Sequence, residues 1–371
     1  MENDLKEKFQ ACMVLHSVGD TIGFNGGYWE FNKFKEDIDY NFTNEIVFEF
    51  IFLGGINDFD LKDWVASDDT IMHMATARAL LHETKYDIDK IGNRLAIEYV
   101  KSFENMSGRY PGKWTEQNIK LLEKGMDWKD IPFAPPGMGG GNGAAMRASC
   151  IGLLYYKESD LDKLIAVSIE SGRITHNSPI GYLGALAVSF MISCAIRKVP
   201  YTLWPSQLLE LLESGKIEKY LESTRGLKEY KRDKDFFVLM WKKYIYGRFT
   251  GKTVRYEKFL LNPAYRTKYY ADNFSFPDSS FFFPGIGGHD SLIIAYDAIV
   301  DAMVPKESWE KLVIYSCLHA GDSDTTGAIA CSLWGAMFGF KGVPDNNYEK
   351  LEYKKELLDL GEQLELAVIR V

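Results

Sequence analysis

A chain of 371 residues, 46% hydrophobic, 14% aromatic and 26% charged, carries enough apolar material for one large core. Its net charge of −9 argues against nucleic acid as a partner, because phosphate binding needs a basic face, and it also disfavours an anionic membrane surface. A site for hard cations fits that balance better.

The charged stretch from Met1 to Gln10 lacks the apolar centre of a signal peptide. Phe9, Cys12, Met13, His16 and Ile22 recur at helical spacing and predict a helix over residues 5–24, with Gly19-Asp20 inside it. An acid among apolar neighbours there reads as a cap or a supporting group. Tyr28-Trp29-Glu30-Phe31 is an aromatic loop carrying one carboxylate. Residues 46–53 are β-branched and aromatic, and periodicity alone does not separate a strand from a buried helical segment. Residues 69–82 predict a helix opened by Ser67-Asp68-Asp69-Thr70. One Ser or Asp suffices for an N-cap, so four polar residues in succession exceed what capping needs.

Helices are expected over 87–103 and 115–124, separated by the loop Gly108-Arg109-Tyr110-Pro111-Gly112. The richest glycine stretch follows, from Gly137 through Gly139, Gly140, Gly141, Asn142 and Gly143, and the pattern after it predicts a helix over 144–155. Glycines before a helix start can cradle an anion. They serve equally as a tight turn, and this stretch is neither a Walker A loop nor a dinucleotide fingerprint. Helices are expected over 161–172 and 180–196, with His176 just before the second. Residues 206–270 are rich in lysine and aromatics with weak periodicity, which predicts a peripheral helical segment. A loop over 273–290 precedes helices at 291–303 and 308–319. A second polar knot, Gly321-Asp322-Ser323-Asp324-Thr325-Thr326, then opens an apolar helix, and residues 346–366 predict a final amphipathic one. No apolar run is read as reaching the roughly 18–20 residues of a membrane span. Five scattered cysteines without a C-x-x-C pair read as buried thiols in a reducing compartment. The expectation is a cytoplasmic, monomeric, all-α protein with no secure strand and no domain linker.

Asp68, Asp69, Asp322 and Asp324 are carboxylates at two helix starts far apart in sequence, and Ser67 and Thr325 add hydroxyls. If the starts converge, the carboxylates must raise their pKa values or bind cations. All-oxygen donors favour Mg²⁺, Mn²⁺ or Ca²⁺ over Zn²⁺. If they do not converge, the knots are two independent caps.

The paired knots resemble the metal signature of the ADP-ribosylglycohydrolases. The resemblance extends in order through Gly19-Asp20, Trp29-Glu30-Phe31, Gly108-Arg109, Gly143-Ala144-Ala145-Met146-Arg147, Glu170-Ser171-Gly172-Arg173, Thr175-His176, Gly288-His289-Asp290 and Tyr348-Glu349-Lys350-Leu351-Glu352-Tyr353. Within the family the chain is most similar to the ADP-ribosylarginine hydrolases, which carry the Trp-Glu-Phe loop. The resemblance implies a single all-α domain over residues 1–371 with a central cleft for two Mg²⁺ ions. It implies ADP-ribose and ADP-ribosylated proteins as partners, and cleavage of the N-glycosidic bond to arginine. Ser67, Asp68, Asp69 and Asp324 would hold one ion, and Asp322, Asp324 and Thr325 the other. Asp68 or Asp69 would move the proton, and Glu30 would face the guanidinium. The substrate would lie on Gly112, Gly137, Gly139, Gly140, Gly141, Asn142, Gly143, His176 and Phe283. An ADP-ribosyl-serine or O-acetyl-ADP-ribose hydrolase, or an inactive ADP-ribose-binding relative, is the alternative. The sequence departs from the family pattern at Asn142 and at Phe281-Phe282-Phe283-Pro284.

Overall fold

Apolar residues at helical spacing, punctuated by Ser, Asp, Asn and Pro starts, cut the chain into helices. The computed structural model describes residues 2–31, 40–83, 85–276 and 283–368. In chain order the helices are α1 (Glu2–Phe24), α2 (Tyr40–Phe52), α3 (Gly55–Asp58), α4 (Asp68–His82), α5 (Ile88–Ser102), α6 (Lys113–Glu123), α7 (Ser149–Leu154), α8 (Leu161–Thr175), α9 (Pro179–Ile196), α10 (Trp204–Glu213), α11 (Lys216–Ser223), α12 (Leu227–Arg248), α13 (Pro263–Phe274), α14 (Asp290–Ala302), α15 (Trp309–Cys317), α16 (Ser323–Phe338) and α17 (Lys354–Ala367). The strands among the described residues are β1 (Phe249–Thr250) and β2 (Thr253–Val254), an antiparallel pair that turns the chain between α12 and α13.

Local chemistry sets many of the starts. The Asp87 carboxylate accepts from the amides of Asp89 and Lys90 at the head of α5, and Asn262 does the same for Ala264 and Tyr265 ahead of Pro263 in α13. Ser308 accepts from the Lys311 amide at the start of α15. The interior is built around α1, α9, α14 and α16. Residues along α1 and every residue of α9 are buried, and α9, α14 and α16 pack on one another. Where α1 crosses α16, a Cβ on Gly19 would lie 2.1 Å from the Gly327 carbonyl oxygen, and one on Gly23 would lie 2.1 Å from that of Ser323. Only glycine lets the two backbones meet there.

Several expectations need correcting. Helix α9 has 18 residues and a mean hydropathy of 1.8, so one apolar run is long enough to cross a membrane; all of it is buried inside the protein, as a central core helix would be. Residues 46–53 belong to a helix, α2, which packs Ile46 and Phe50 inward and leaves Phe48, Ile51 and Phe52 exposed. The glycine stretch does not open a long helix. A single 3₁₀ turn, Asn142–Ala144, intervenes before the six-residue α7. The last helix begins at Lys354, because residues 345–353 are spent on a 3₁₀ turn and on Tyr353 in a left-handed conformation. All five cysteines are buried and unpaired.

Candidate active site

The helix crossing of α1 and α16 fixes where the second acidic knot sits. Ser323 packs on α1, its hydroxyl donating to the Gly23 carbonyl at 3.1 Å. The same stretch of α1 carries Asp20, which is completely buried. One Asp20 oxygen accepts from the Ser67 amide at 3.1 Å and the other from the Thr70 amide at 3.0 Å and the Thr70 hydroxyl. An acid from α1 thus caps α4 from outside, while Ser67 Oγ accepts from the Asp69 amide in the usual manner. With Asp20 and Ser67 occupying the cap positions, Asp68 and Asp69 are not needed there. Both knots therefore deliver carboxylates to one place.

The loops around them are tied to the same frame. The Phe31 amide donates to the Gly321 carbonyl at 2.9 Å, which hooks the Trp29-Glu30-Phe31 loop to the second knot. The Trp29 indole donates to Glu49 on α2. Arg109 clamps Glu352 through two hydrogen bonds of 3.0 and 2.8 Å and also donates to the Ala66 carbonyl, so the Tyr348–Tyr353 motif braces the approach to α4. The Asn142 side chain donates to the Gly285 carbonyl at 2.8 Å and to Asp322 Oδ2 at 3.0 Å, and a bridge between Gly141 and Gly287 completes the seam. Asp290 holds that turn by accepting from the amides of Gly285 and Gly287. Arg147 lies beneath the glycine loop, donating to the Gly143 and Ser171 carbonyls and to Tyr99.

These pieces enclose a cleft of about 710 Å³ lined by both knots, the aromatic loop, the start of α6 and the glycine loop. A cleft of that size suits a nucleotide-sized ligand. Its electrostatics are one-sided. Burial first, then the Asp324 charge, pushes Asp68 and Asp69 well above the usual carboxylate range. Asp322 is raised by burial and Asp324, with Glu30 adding to the repulsion. Burial and Asp324 raise Asp20 to about 7. Asp69 Oδ2 is buried without a hydrogen-bond partner among the described residues. Among those residues, no three Asp, Glu, His or Cys side chains form a ready-made metal cage. Burial lowers His176 to about 3, so it is a neutral ring against the glycine loop.

Of the residues singled out from sequence, Glu30, Asp68, Asp69, Gly112, Gly141, Asn142, Gly143, His176, Phe283, Asp322, Asp324 and Thr325 all line this cleft. Ser67 lies behind them as the cap of α4. Gly137, Gly139 and Gly140 do not line it. Gly139 packs toward Ala134, and Gly140 against Ile180 and Phe276, so their part is to shape the turn. Thr70 points away, donating to Ser17 and Asp20. Phe281 and Phe282 fall outside the described residues. Phe31, Tyr110, Lys113, Trp114, Thr115, Met146 and Ile286 also line the cleft, without being expected there from residue type. The Gly108–Gly112 loop is a signal for Tyr110 and its neighbours, and the Gly143–Arg147 motif for Met146, but an apolar Ile286 carries none.

The comparisons with known proteins agree with this geometry. The family described as ADP-ribosylglycohydrolase matches residues 1–370. ADP-ribosylhydrolase ARH1 of Dictyostelium discoideum is 38% identical, over 97% of this chain and 94% of the relative. ADP-ribosylhydrolase ARH3 of Xenopus tropicalis is 23% identical, over 96% and 94%. A solved structure titled ADP-ribosylglycohydrolase-related protein complex shares the fold, with a TM-score of 0.60 at 16% identity and 99% coverage of both chains. With the family pattern running almost from end to end and its paired acidic knots meeting in one cleft, the chain belongs to the ADP-ribosylglycohydrolase family.

Proposed function

We propose that the chain is a Mg²⁺-dependent hydrolase that releases ADP-ribose from arginine on proteins by cleaving the N-glycosidic bond. The observation that carries this reading is the meeting of Asp68, Asp69, Asp322, Asp324 and Glu30 in one nucleotide-sized cleft. The donor set suits a hard divalent cation: the carboxylates and the Thr325 hydroxyl are all oxygen, and Asp69 Oδ2 is buried without a partner among the described residues. Ser67, Asp68, Asp69 and Asp324 would hold one ion, and Asp322, Asp324 and Thr325 the other. When bound, Mg²⁺ supplies Lewis-acid charge to substrate and water oxygens.

The chain's own side chains divide the remaining work. Cleavage breaks the bond from the ribose C1 to the guanidine nitrogen through an oxocarbenium-like state, and a water oxygen forms the new bond to C1. The water proton passes to a carboxylate. Both Asp68 and Asp69 line the cleft, and Asp68, the more exposed of the two, is assigned this role. The electron pair of the broken bond stays on that nitrogen, so the guanidine leaves neutral and takes up the proton that the carboxylate received from water, becoming a guanidinium. Glu30 provides its counter-charge, which a serine leaving group does not need. Asn142 orients Asp322 through its 3.0 Å hydrogen bond. His176, neutral and held by Thr175, positions the glycine loop.

The test is release of free ADP-ribose from arginine-linked and serine-linked substrates, with Mg²⁺ and with EDTA. The expected result is metal-dependent release from arginine, reduced about tenfold or more in Glu30→Gln. Release that survives complete metal removal overturns the cation requirement. Faster release from serine overturns the arginine assignment.

A further inference from the structure

Outside the cleft, α2 presents apolar surface to water. Its inward residues Thr43, Ile46 and Phe50 recur at helical spacing and are buried. On the opposite side Phe48 is 70% exposed, Ile51 59% and Phe52 81%, spaced i, i+3 and i+4, so they form one stripe. Leu53 extends it past the end of the helix. Single exposed apolar residues are ordinary, but three large ones on one helix face mark a surface that another molecule covers.

Two observations point to what covers it. First, the stripe adjoins the rim of the cleft. Glu49, between Phe48 and Phe52, accepts from the Trp29 indole at 2.9 Å, and Trp29 packs on Phe50 with ring centroids 6.4 Å apart. The next two residues of that loop, Glu30 and Phe31, line the cleft. With the ADP-ribose inside and the arginine at Glu30, the protein that carries them lies on this side. Second, α2 carries Glu45 and Glu49, both exposed, and no Lys or Arg. Glu45, Phe48, Glu49 and Phe52 follow at i, i+3, i+4 and i+7, so acids flank the phenylalanines. A second copy of the chain in a twofold contact would set these acids against their own kind. A segment with apolar and basic side chains complements both.

We propose that the exposed stripe of α2 is the docking surface for the protein that carries the ADP-ribose, taking an apolar, basic segment next to the modified residue. The proposal rests on the hydrolase reading of the cleft and adds to it a site outside the cleft. Phe48 and Phe52 are its anchors, since buried aromatic side chains carry much of the binding in protein interfaces. Glu45 sets the preference for basic neighbours. The cleft holds the nucleotide, and α2 selects the chain around it. 

The experiment is steady-state release of ADP-ribose by the full chain in Mg²⁺ from three substrates: free ADP-ribosylarginine, a basic, leucine-bearing peptide with one ADP-ribosylated arginine, and an acidic peptide modified in the same way. Wild type should prefer the basic peptide to the acidic one, and the preference should shrink in high salt. The double variant Phe48→Ser, Phe52→Ser should lose about tenfold in kcat/KM on the basic peptide, through KM, and Glu45→Lys about threefold. Neither should change turnover of free ADP-ribosylarginine or the melting temperature, since all three side chains face solvent. Unchanged peptide turnover in the double variant, with free ADP-ribosylarginine still released, overturns the docking surface. Equal losses on free ADP-ribosylarginine also overturn it, because they mark a rim loop disturbed through Glu49 and Trp29. A wild-type dimer in sedimentation that the double variant dissociates, with peptide turnover unchanged, overturns it in favour of a second copy. A wild type that releases nothing from the arginine substrates, but shows the same Phe48 and Phe52 dependence on a serine-linked peptide, instead overturns the arginine reading and leaves the docking surface standing.

Discussion

Two of the groups of buried carboxylates in this protein are treated in opposite ways. On α14, Asp297 and Asp301 face Arg248 from α12 and Arg266 from α13 through four charge-assisted hydrogen bonds of 2.5–2.7 Å. Tyr244 and Tyr270 donate to Asp297 as well. Burial alone would raise Asp297, but the two guanidiniums outweigh it and hold its carboxyl below the usual value. In the cleft, Asp68, Asp69 and Asp322 are raised by burial and then by the charge of Asp324. The first group is neutralised by the protein, and its role is to pin residues 227–274 onto the core. The second is short of positive charge, which is the condition of a site completed by something from outside.

Three measurements would break or sharpen that contrast. The largest effect is expected in the cleft. Asp324→Ala should cost about a thousandfold or more in turnover, equivalent to several kcal/mol of transition-state stabilisation. Its thermal midpoint without metal should stay level or rise, because a like charge has been removed. Near-normal turnover would mean that the knots are caps and nothing more. The reverse pattern is expected at α14. Asp297→Ala leaves two buried guanidiniums underpaired and should lower stability by about 3–5 kcal/mol in denaturant titration, while the folded fraction keeps its kcat. If it lost activity instead without loss of stability, the two groups would not be functionally distinct.

The smallest effect is linkage between cation and pH. The carboxyls of Asp68, Asp69 and Asp322 are raised in the ion-free folded state. That state therefore keeps protons that the unfolded chain gives up above about pH 4. The contribution of these groups to stability is present at low pH and is lost as pH rises through their folded values. A cation holds the ionised forms, so saturating Mg²⁺ should raise the melting temperature by a few degrees at pH 8 and by less at pH 5.5. An equal rise at both values would show that the ion binds elsewhere.

Much of the helical layout was legible because caps and periodicity are local. Ser67, Asp87 and Ser308 announce helices from within their own turns. Two stretches were not settled by local pattern. Residues 46–53 were ambiguous because a short apolar run has no period of its own, and packing of Ile46 and Phe50 settled it as helix. The long helix expected after Gly143 is interrupted because Arg147 turns back to bond the Gly143 and Ser171 carbonyls. In the site, acidic and glycine residues stood out by type. Lys113, Trp114 and Thr115 did not, since a Lys or Thr at a helix start is ordinary until its surroundings are known.

By itself, the sequence determined that two polar knots open two helices, that a glycine loop and an aromatic loop accompany them, and that the chain as a whole is acidic. Those are properties of residue type and spacing, which act over one or two turns. Only the tertiary structure decided that the knots meet. Gly19 and Gly23 let α1 lie against α16, and Asp20 then reaches across to cap α4. That cap releases Asp68 and Asp69 from capping duty and turns four separate acids into one cleft, because burial and mutual repulsion act through space rather than along the chain.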